Sequence, residues 1–398
     1  MNNRSHSGHS PGIPEGHAAL KLFQLAPDRI HLNHGGYGAV PEVVSATQDR
    51  FRVLIESDPT SFFTDVLPDE LRKLAALAAR NFGGAAQDWV FCENATSAVN
   101  SVLSSYPLKN GDEILTTSHA YGAVLKAMQV WAERRNAKVA VAELPAIIES
   151  EDQVVEIVTR HFTANTKLLI IDHITSPTAA VFPVARIAKA ARAAGAATLV
   201  DGAHAVGQVV VDVEAIGADW YTGNAHKWLF APKGCGLLWT APSRQGSTLP
   251  VILSHGARDG YAQAFDWIGT RDVTAWLCFK AATEAHENLG GIDLMARNRA
   301  LAARAAAFLS ANLKKPLSAP GTMCEAMASI QIGAAPPGTA LGDQIRRLLL
   351  REAGIVLPIF SFAGSVWLRI SAQIYNEIGD YERLAQALPK VLAQFDLL

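Results

Sequence analysis

The feature that most restricts the fold of this chain is a repeated alternation running from Asp28 to about Val273, in which short apolar runs are followed by longer stretches of helical periodicity. The apolar runs are Trp89–Cys92, Glu113–Thr117, Val139–Leu144, Leu168–His173, Ala197–Asp201, Trp220–Gly223 and Gly236–Trp239. Several are almost wholly apolar, the pattern of strands covered on both faces. Pro41–Glu56, Leu67–Phe82, Thr96–Ser105, Gly122–Arg135, Gln153–Phe162 and Val184–Ala194 read as helices. Strand–helix alternation of this kind predicts an α/β fold, with a mainly parallel seven-stranded sheet flanked by helices. Beyond Val273 the rhythm changes. A long helical stretch from about Ala275 to Leu313, broken at Gly290–Gly291, precedes strands at Ala326–Ile332 and Val366–Ile370 and helices at Gly342–Glu352 and Asp380–Phe395. The expected organisation is a flexible lead-in over 1–27, a large domain over 28–273 whose N-terminal arm joins the small domain, and a small α+β domain over 274–398.

Composition narrows the class. Apolar residues are 49% of the chain, ample for a core, so general disorder is excluded. Charged residues are only 18%, which hints at surface buried against another subunit. A net charge of −2 gives no field for nucleic acid or an anionic membrane. The four cysteines, Cys92, Cys235, Cys278 and Cys324, form no CxxC pair, so neither a disulfide framework nor a zinc knuckle is expected. Met1 to Gly16 has no apolar core of a signal peptide, and no run of 18 apolar residues suggests a span, so a cytoplasmic protein is expected. HExxH spacing is absent, and no GxGxxG follows a strand and opens a helix; no metal is expected.

In open α/β sheets, ligands bind outside the carboxyl ends of strands. Those ends carry Asn94-Ala95-Thr96-Ser97, His119-Ala120-Tyr121, Thr175-Ser176, Asp201-Gly202-Ala203-His204 and Asn224-Ala225-His226-Lys227. Asp201 closes an apolar run and needs a cationic partner. Lys227, past the next strand, can lose its proton in a half-buried site and capture an aldehyde. A Lys for a Schiff base and an Asp for a ring N–H suit pyridoxal 5'-phosphate. Asn94–Ser97, where a helix begins, offers N–H groups and a dipole to a phosphate, although a simple helix cap reads the same way. His226 can add a donor, and His119 or Tyr121 a flat ring to stack on the pyridine.

Leu199-Val200-Asp201-Gly202-Ala203-His204, then Gly223-Asn224-Ala225-His226-Lys227 and Pro232-Lys233-Gly234-Cys235-Gly236, resemble the class V aminotransferase family, of fold type I among pyridoxal-phosphate enzymes. Asn33-His34-Gly35-Gly36-Tyr37-Gly38, His119-Ala120-Tyr121-Gly122, Gly269-Thr270-Arg271-Asp272 and Arg369-Ile370-Ser371-Ala372-Gln373 point within it to isopenicillin N epimerase-like proteins and to C–S lyases such as hercynylcysteine sulfoxide lyase. The resemblance implies that Lys227 is the Schiff-base lysine and proton shuttle and that Asp201 pairs with the ring nitrogen. It further implies that Ala95 and Thr96 bind phosphate with His226, that His204 and Ser176 lie near the ring hydroxyl, and that His119 is the stacking ring, with Tyr121 as rival. Thr270 would reach the phosphate of a neighbouring subunit, giving a homodimer with shared sites. Arg369 would hold the substrate α-carboxylate and Asn33 would lie near the substrate; Arg271 would meet a second carboxylate or brace the dimer. Phe62, Phe63, Tyr37 and a loop over Ile359–Ala363 would shape the side-chain pocket.

Such a site acts at Cα or Cβ of an amino acid by epimerisation or transamination, or alternatively by β-elimination as a C–S lyase. Epimerisation needs an acid opposite Lys227, for which Tyr121, His34 and Tyr37 are candidates. A persulfide carrier is not expected, because no Cys lies between Ile332 and Arg369. A non-catalytic, cofactor-binding regulator is the reading from another class.

Overall fold

The computed structural model describes residues 12–335 and 340–397. Its centre is a seven-stranded sheet in the order Trp89–Cys92, Gly236–Thr240, Trp220–Asn224, Ala197–Gly202, Thr166–Asp172, Glu113–Thr117, Lys138–Ala142. Gly236–Thr240 is antiparallel to both its neighbours, and every other pairing is parallel. The near-continuous apolar runs are explained by what each face meets. Val90, Ile114, Leu168, Ile170 and Leu199 enter one core, while Phe91, Leu115, Leu169, Ile171 and Val200 enter another on the opposite face. Successive side chains of a strand point to opposite sides, so a sheet covered twice needs apolar residues at both parities. Each fully buried Val, Leu or Ile contributes about 1.5–3 kcal/mol. Edge strand Lys138–Ala142 is the least buried and starts on an exposed charged side chain, Lys138.

A second sheet pairs Ile359–Phe362, Ser365–Ser371 and Met327–Ala334, all antiparallel, under helices Ile292–Leu313, Leu341–Ala353 and Ile378–Leu392. Ile359–Phe362, expected as a loop, is therefore a strand. It alternates with Ser365–Ser371 across a tight turn at Ala363-Gly364, both with positive φ. The long helical stretch after Val273 divides into Thr274–Leu277, Phe279–Asn288 and Ile292–Leu313, with Gly290 and Gly291 at positive φ in the break.

The flexible lead-in needs correction where the structure describes it. Residues 1–11 lie outside the described residues. Gly16–Leu22 forms a 3-10 helix whose Gly16 N–H donates to the Ile374 carbonyl at 2.8 Å, and Ala19 and Phe23 are buried against Phe230 and Tyr375. Ile30–His31 then pairs in parallel with Ile355–Val356 as a separate two-stranded sheet, which anchors the arm to the C-terminal part of the chain. No helix among the described residues is long and apolar enough to cross a membrane.

Candidate active site

Asp201 ends a fully buried strand and is itself 3% exposed. Its Oδ1 accepts the Ala203 N–H at 2.9 Å. Burial pushes this carboxyl up, against the pull of that N–H and of the Lys227 charge. Lys227 sits in the turn after Trp220–Asn224, and its Nζ lies 3.2 Å from His204 Nε2. Burial lowers the Lys227 pKa to about 8, helped by the Arg369 charge and opposed by Asp201 and Asp172. His204 is held neutral by burial and then by the Lys227 charge, so its Nε2 accepts from the amine. That leaves its buried Nδ1 without a partner.

Arg369 lies on Ser365–Ser371 and is 5% exposed. Nη1 donates to the Ser176 carbonyl at 2.6 Å and to Ser176 Oγ at 3.2 Å, while Nε is buried and unpartnered. Among the described residues no carboxylate pairs with it, and burial lowers its pKa to about 10. A guanidinium in that state is several kcal/mol short of the stabilisation a carboxylate would return.

At the other end of the site, Asn94 caps helix Ala95–Ser105 by accepting the Ser97 N–H at 3.0 Å. The Ala95 N–H goes to Asn224 Oδ1 at 2.8 Å. Thr96 N–H has no partner among the described residues and heads an 11-residue helix, which is where an anion is stabilised. Gly236 is required beside this cap, since a Cβ there would lie 2.6 Å from Asn94 Cα. His226 Nδ1 faces the Cys235 carbonyl at 3.2 Å, and burial lowers its pKa to about 4.

The two ring candidates separate clearly. His119 is completely buried, with Nδ1 bonded to Thr178 Oγ1 at 2.8 Å and Nε2 to the Pro145 carbonyl at 3.1 Å, and its ring meets Phe362 edge-on at 5.0 Å. With both nitrogens used and no open face, it braces the Thr175–Thr178 turn that receives Arg369. This differs from the expected stacking role. Tyr121 is 45% exposed, its main-chain N–H acts on Asp172, and its phenol acts on Arg369. Ser176 likewise serves Arg369 through both its oxygens. Asn33 precedes the turn His34–Tyr37, and its buried Oδ1 has no partner. Thr270 is exposed and lines a separate cavity of about 460 Å3 with Arg52, Phe63 and Arg271. Arg271 donates to Glu93 at 2.8 Å and stacks 4.0 Å over Trp276, bracing the loop before the cap.

Two residues were missed. Asn224 takes up an N–H expected for phosphate. Asp172 is 6% exposed, pairs in register with Asp201, and is pushed well up by burial and by the Asp201 charge. The rule that singled out Asp201, an acid ending an apolar strand, applies equally to Asp172.

The site thus holds unmet hydrogen-bonding groups, His204 Nδ1, the Thr96 N–H and Arg369 Nε, together with the buried Asp201 carboxyl. Residues 69–332 match the aminotransferase class-V family. The chain belongs to that family. Its members are pyridoxal-phosphate enzymes, and the orphaned donors and the Asp201 carboxyl fit that cofactor: Lys227 would attach it, Asp201 hold its ring nitrogen, and Thr96 and His226 its phosphate. An isopenicillin N epimerase from Amycolatopsis lactamdurans is 32% identical across 94% of this chain and 98% of its own length. A probable chloroplastic L-cysteine desulfhydrase from Arabidopsis thaliana is 29% identical across 91% and 82%. A solved cystine C–S lyase in complex with cysteine persulfide is 21% identical with a TM-score of 0.78, over 90% of this chain and 97% of that one. The last comparison establishes the fold, whose seven-stranded sheet is the one expected of fold type I.

A pH dependence follows from the class V site. The neutral amine is the nucleophile, and its fraction grows as pH rises toward the lowered Lys227 value of about 8. Capture of pyridoxal phosphate by cofactor-free protein is expected to speed up about tenfold per pH unit below that value and to level off above it. Stopped-flow absorbance checks this; a rate still climbing steeply through pH 10 would mean an ordinary lysine.

Proposed function

We propose that this class V enzyme acts on an α-amino acid held by Arg369, taking the Cα proton with Lys227 and expelling a sulfur substituent from Cβ, as a C–S lyase. The cofactor, when bound, supplies an electron sink for the pair left at Cα. Lys227 is suited to take the proton because burial keeps a large share of its amine neutral near pH 8. His204, 3.2 Å away, orients that amine by accepting from it at Nε2. The C–S bond breaks, the thiol leaves with a proton, and addition of water releases a 2-keto acid and ammonia; no oxidant is consumed.

The observation that carries elimination is the fate of the acids proposed opposite Lys227. His34 has both ring nitrogens bonded, to Tyr375 and to the Lys227 carbonyl, and Tyr37 is 73% exposed. That leaves Tyr121. Elimination needs only Lys227, to take the Cα proton and to return a proton to the leaving group, whereas epimerisation would depend on the half-exposed Tyr121 alone as the opposite acid. The thiols support the absence of a sulfur relay, since Cys92, Cys235, Cys278 and Cys324 are all buried. Epimerisation is the second reading, favoured by Tyr121 beside Arg369 and by the epimerase relative. The homodimer and the cytoplasmic location belong to the same proposal. Exposed Val251, Ile252 and Leu253, with exposed Thr270, support an interface with a second copy.

Incubation with L-cysteine and S-substituted cysteines in D2O tests the choice. Elimination gives thiol and keto acid without an amino acceptor, and Tyr121→Phe, which keeps the ring, is expected to retain most of that rate. A D-amino acid deuterated at Cα, whose formation falls at least about hundredfold in Tyr121→Phe, would replace the lyase reading with epimerisation.

A further inference from the structure

The N-terminal arm is stitched to both halves of the site, and on the lysine side the stitch ends on one main-chain oxygen. On one side it holds the strand that bears Arg369. The Ser371 N–H donates to the Leu32 carbonyl at 2.9 Å, the Gly35 N–H donates to Ser371 Oγ at 3.1 Å, and Asn376 Nδ2 donates to the His31 carbonyl at 3.0 Å. Ser371 is two residues beyond Arg369 on the same strand. On the other side, His34 Nε2 lies 3.0 Å from the carbonyl oxygen of Lys227 itself. A carbonyl can only accept, so Nε2 carries the proton, and Nδ1 must accept from Tyr375 Oη at 2.9 Å. The two bonds fix the tautomer and the plane of the ring.

The surroundings keep it there. His34 is 2% exposed, with Trp228 at 5.0 Å and Phe230 at 5.6 Å between ring centres. Burial holds the ring neutral with a pKa of about 3, and the titratable groups that face it, Lys233 and His286, both oppose a second proton. Gly38, at φ +70°, closes the arm directly on the lysine turn. A Cβ there would stand 2.1 Å from the His226 carbonyl oxygen and 2.8 Å from that of Lys227.

We infer that His34 and Tyr375 are positioning residues, a strap that ties the Arg369 strand to the Lys227 main chain and sets where the lysine amine stands relative to a substrate carboxylate. The inference rests on Lys227 being the reactive amine. His34 does not touch the amine and exchanges no proton with substrate; it acts through the carbonyl of the lysine. Misplacing a reacting group by about 1 Å can cost on the order of hundredfold in rate.

The test uses holoenzyme and three variants, His34→Leu, His34→Gln and Tyr375→Phe. The readouts are the pH midpoint of the bound cofactor's visible band, the borohydride trapping rate at Lys227 by peptide mass spectrometry, and the division of the kinetic effect between kcat and KM. His34→Leu is expected to move the band midpoint, slow trapping and lower kcat by about tenfold to hundredfold with KM little changed. His34→Gln, whose amide N–H can reach the same carbonyl, is expected to recover most of the loss, and Tyr375→Phe to give a smaller change in the same direction. Unaltered midpoint, trapping and kcat in His34→Leu would overturn the strap, as would His34→Gln being as impaired as His34→Leu. If His34→Leu does not fold, Tyr375→Phe decides, because it removes one oxygen, and an unchanged midpoint there overturns the inference. Wild-type trapping at a lysine other than Lys227 would instead overturn the underlying reading and the strap with it.

Discussion

Lys227→Ala is expected to abolish turnover, by at least about 10⁴-fold, and to leave no covalently attached cofactor. The size of the effect follows from how much this site invests in one amine. Desolvation of Lys227 is the largest influence on it, and the Arg369 charge adds to it, bringing the pKa to about 8. An ordinary surface lysine, with a pKa near 10.4, would hold well under about 1% of its amine neutral at pH 7, whereas Lys227 holds roughly a tenth. The same group is then the proton carrier at Cα, so its removal takes away attachment and acid–base chemistry together. His204 does not substitute. Burial and the neighbouring cation keep it neutral, and an imidazole cannot form the imine. Two measurements check the expectation: the visible absorption of purified variant, and peptide mass spectrometry after borohydride reduction. Colour and a borohydride adduct surviving in Lys227→Ala would show that another residue holds the cofactor.

The layout of the large sheet was legible because its physics is local and repeated. A strand buried on both faces must be apolar at both parities, and Trp89–Cys92 and Glu113–Thr117 fall where that pattern places them. Asp201 and Lys227 are legible for a different reason: each has an ordinary explanation alone, but polar and titratable groups following successive strand ends in this order point to one site. The failures share a cause, which is that hydrogen-bond partners distant in sequence are invisible to spacing. His119 looks like a free ring at a strand end until Thr178 and Pro145 take its nitrogens. Ala95 looks like an open phosphate donor until Asn224, 129 residues on, accepts its N–H. Gly16–Phe23 looks like tail because its composition is mixed and its partners, Phe230, Ile374 and Tyr375, come from elsewhere in the chain. Asp172 is readable by the same rule as Asp201, since it stands at the end of the apolar strand Thr166–Asp172.

Arg369→Leu is expected to lower kcat/KM for amino-acid substrates by about 10²–10³-fold while leaving the folded protein as stable as before or more so. The two halves come from the same fact. A guanidinium 5% exposed and without a carboxylate partner among the described residues has lost most of its hydration and regained only the Ser176 oxygens. Removing a buried charge that lacks a counter-ion relieves a desolvation cost of several kcal/mol. Leaving Ser176 without its donor returns about 1–3 kcal/mol of that relief. The substrate carboxylate is the group that would complete the pair, and it loses a charge-assisted contact when the guanidinium goes. Arg369→Lys keeps the charge but not the planar fork, and it is expected to fall between the two. A residue that merely held the small sheet together would behave in the reverse way, with the melting temperature dropping and KM hardly moving. Thermal unfolding and steady-state kinetics on the same preparations therefore separate recognition from structure: a clear fall in melting temperature with unchanged KM would return Arg369 to the scaffold. Lys227 is tied to this outcome as well. The Arg369 charge is among the influences that lower its pKa, so the leucine variant should move the amine back toward the ordinary lysine value and shift the pH midpoint of cofactor capture upward.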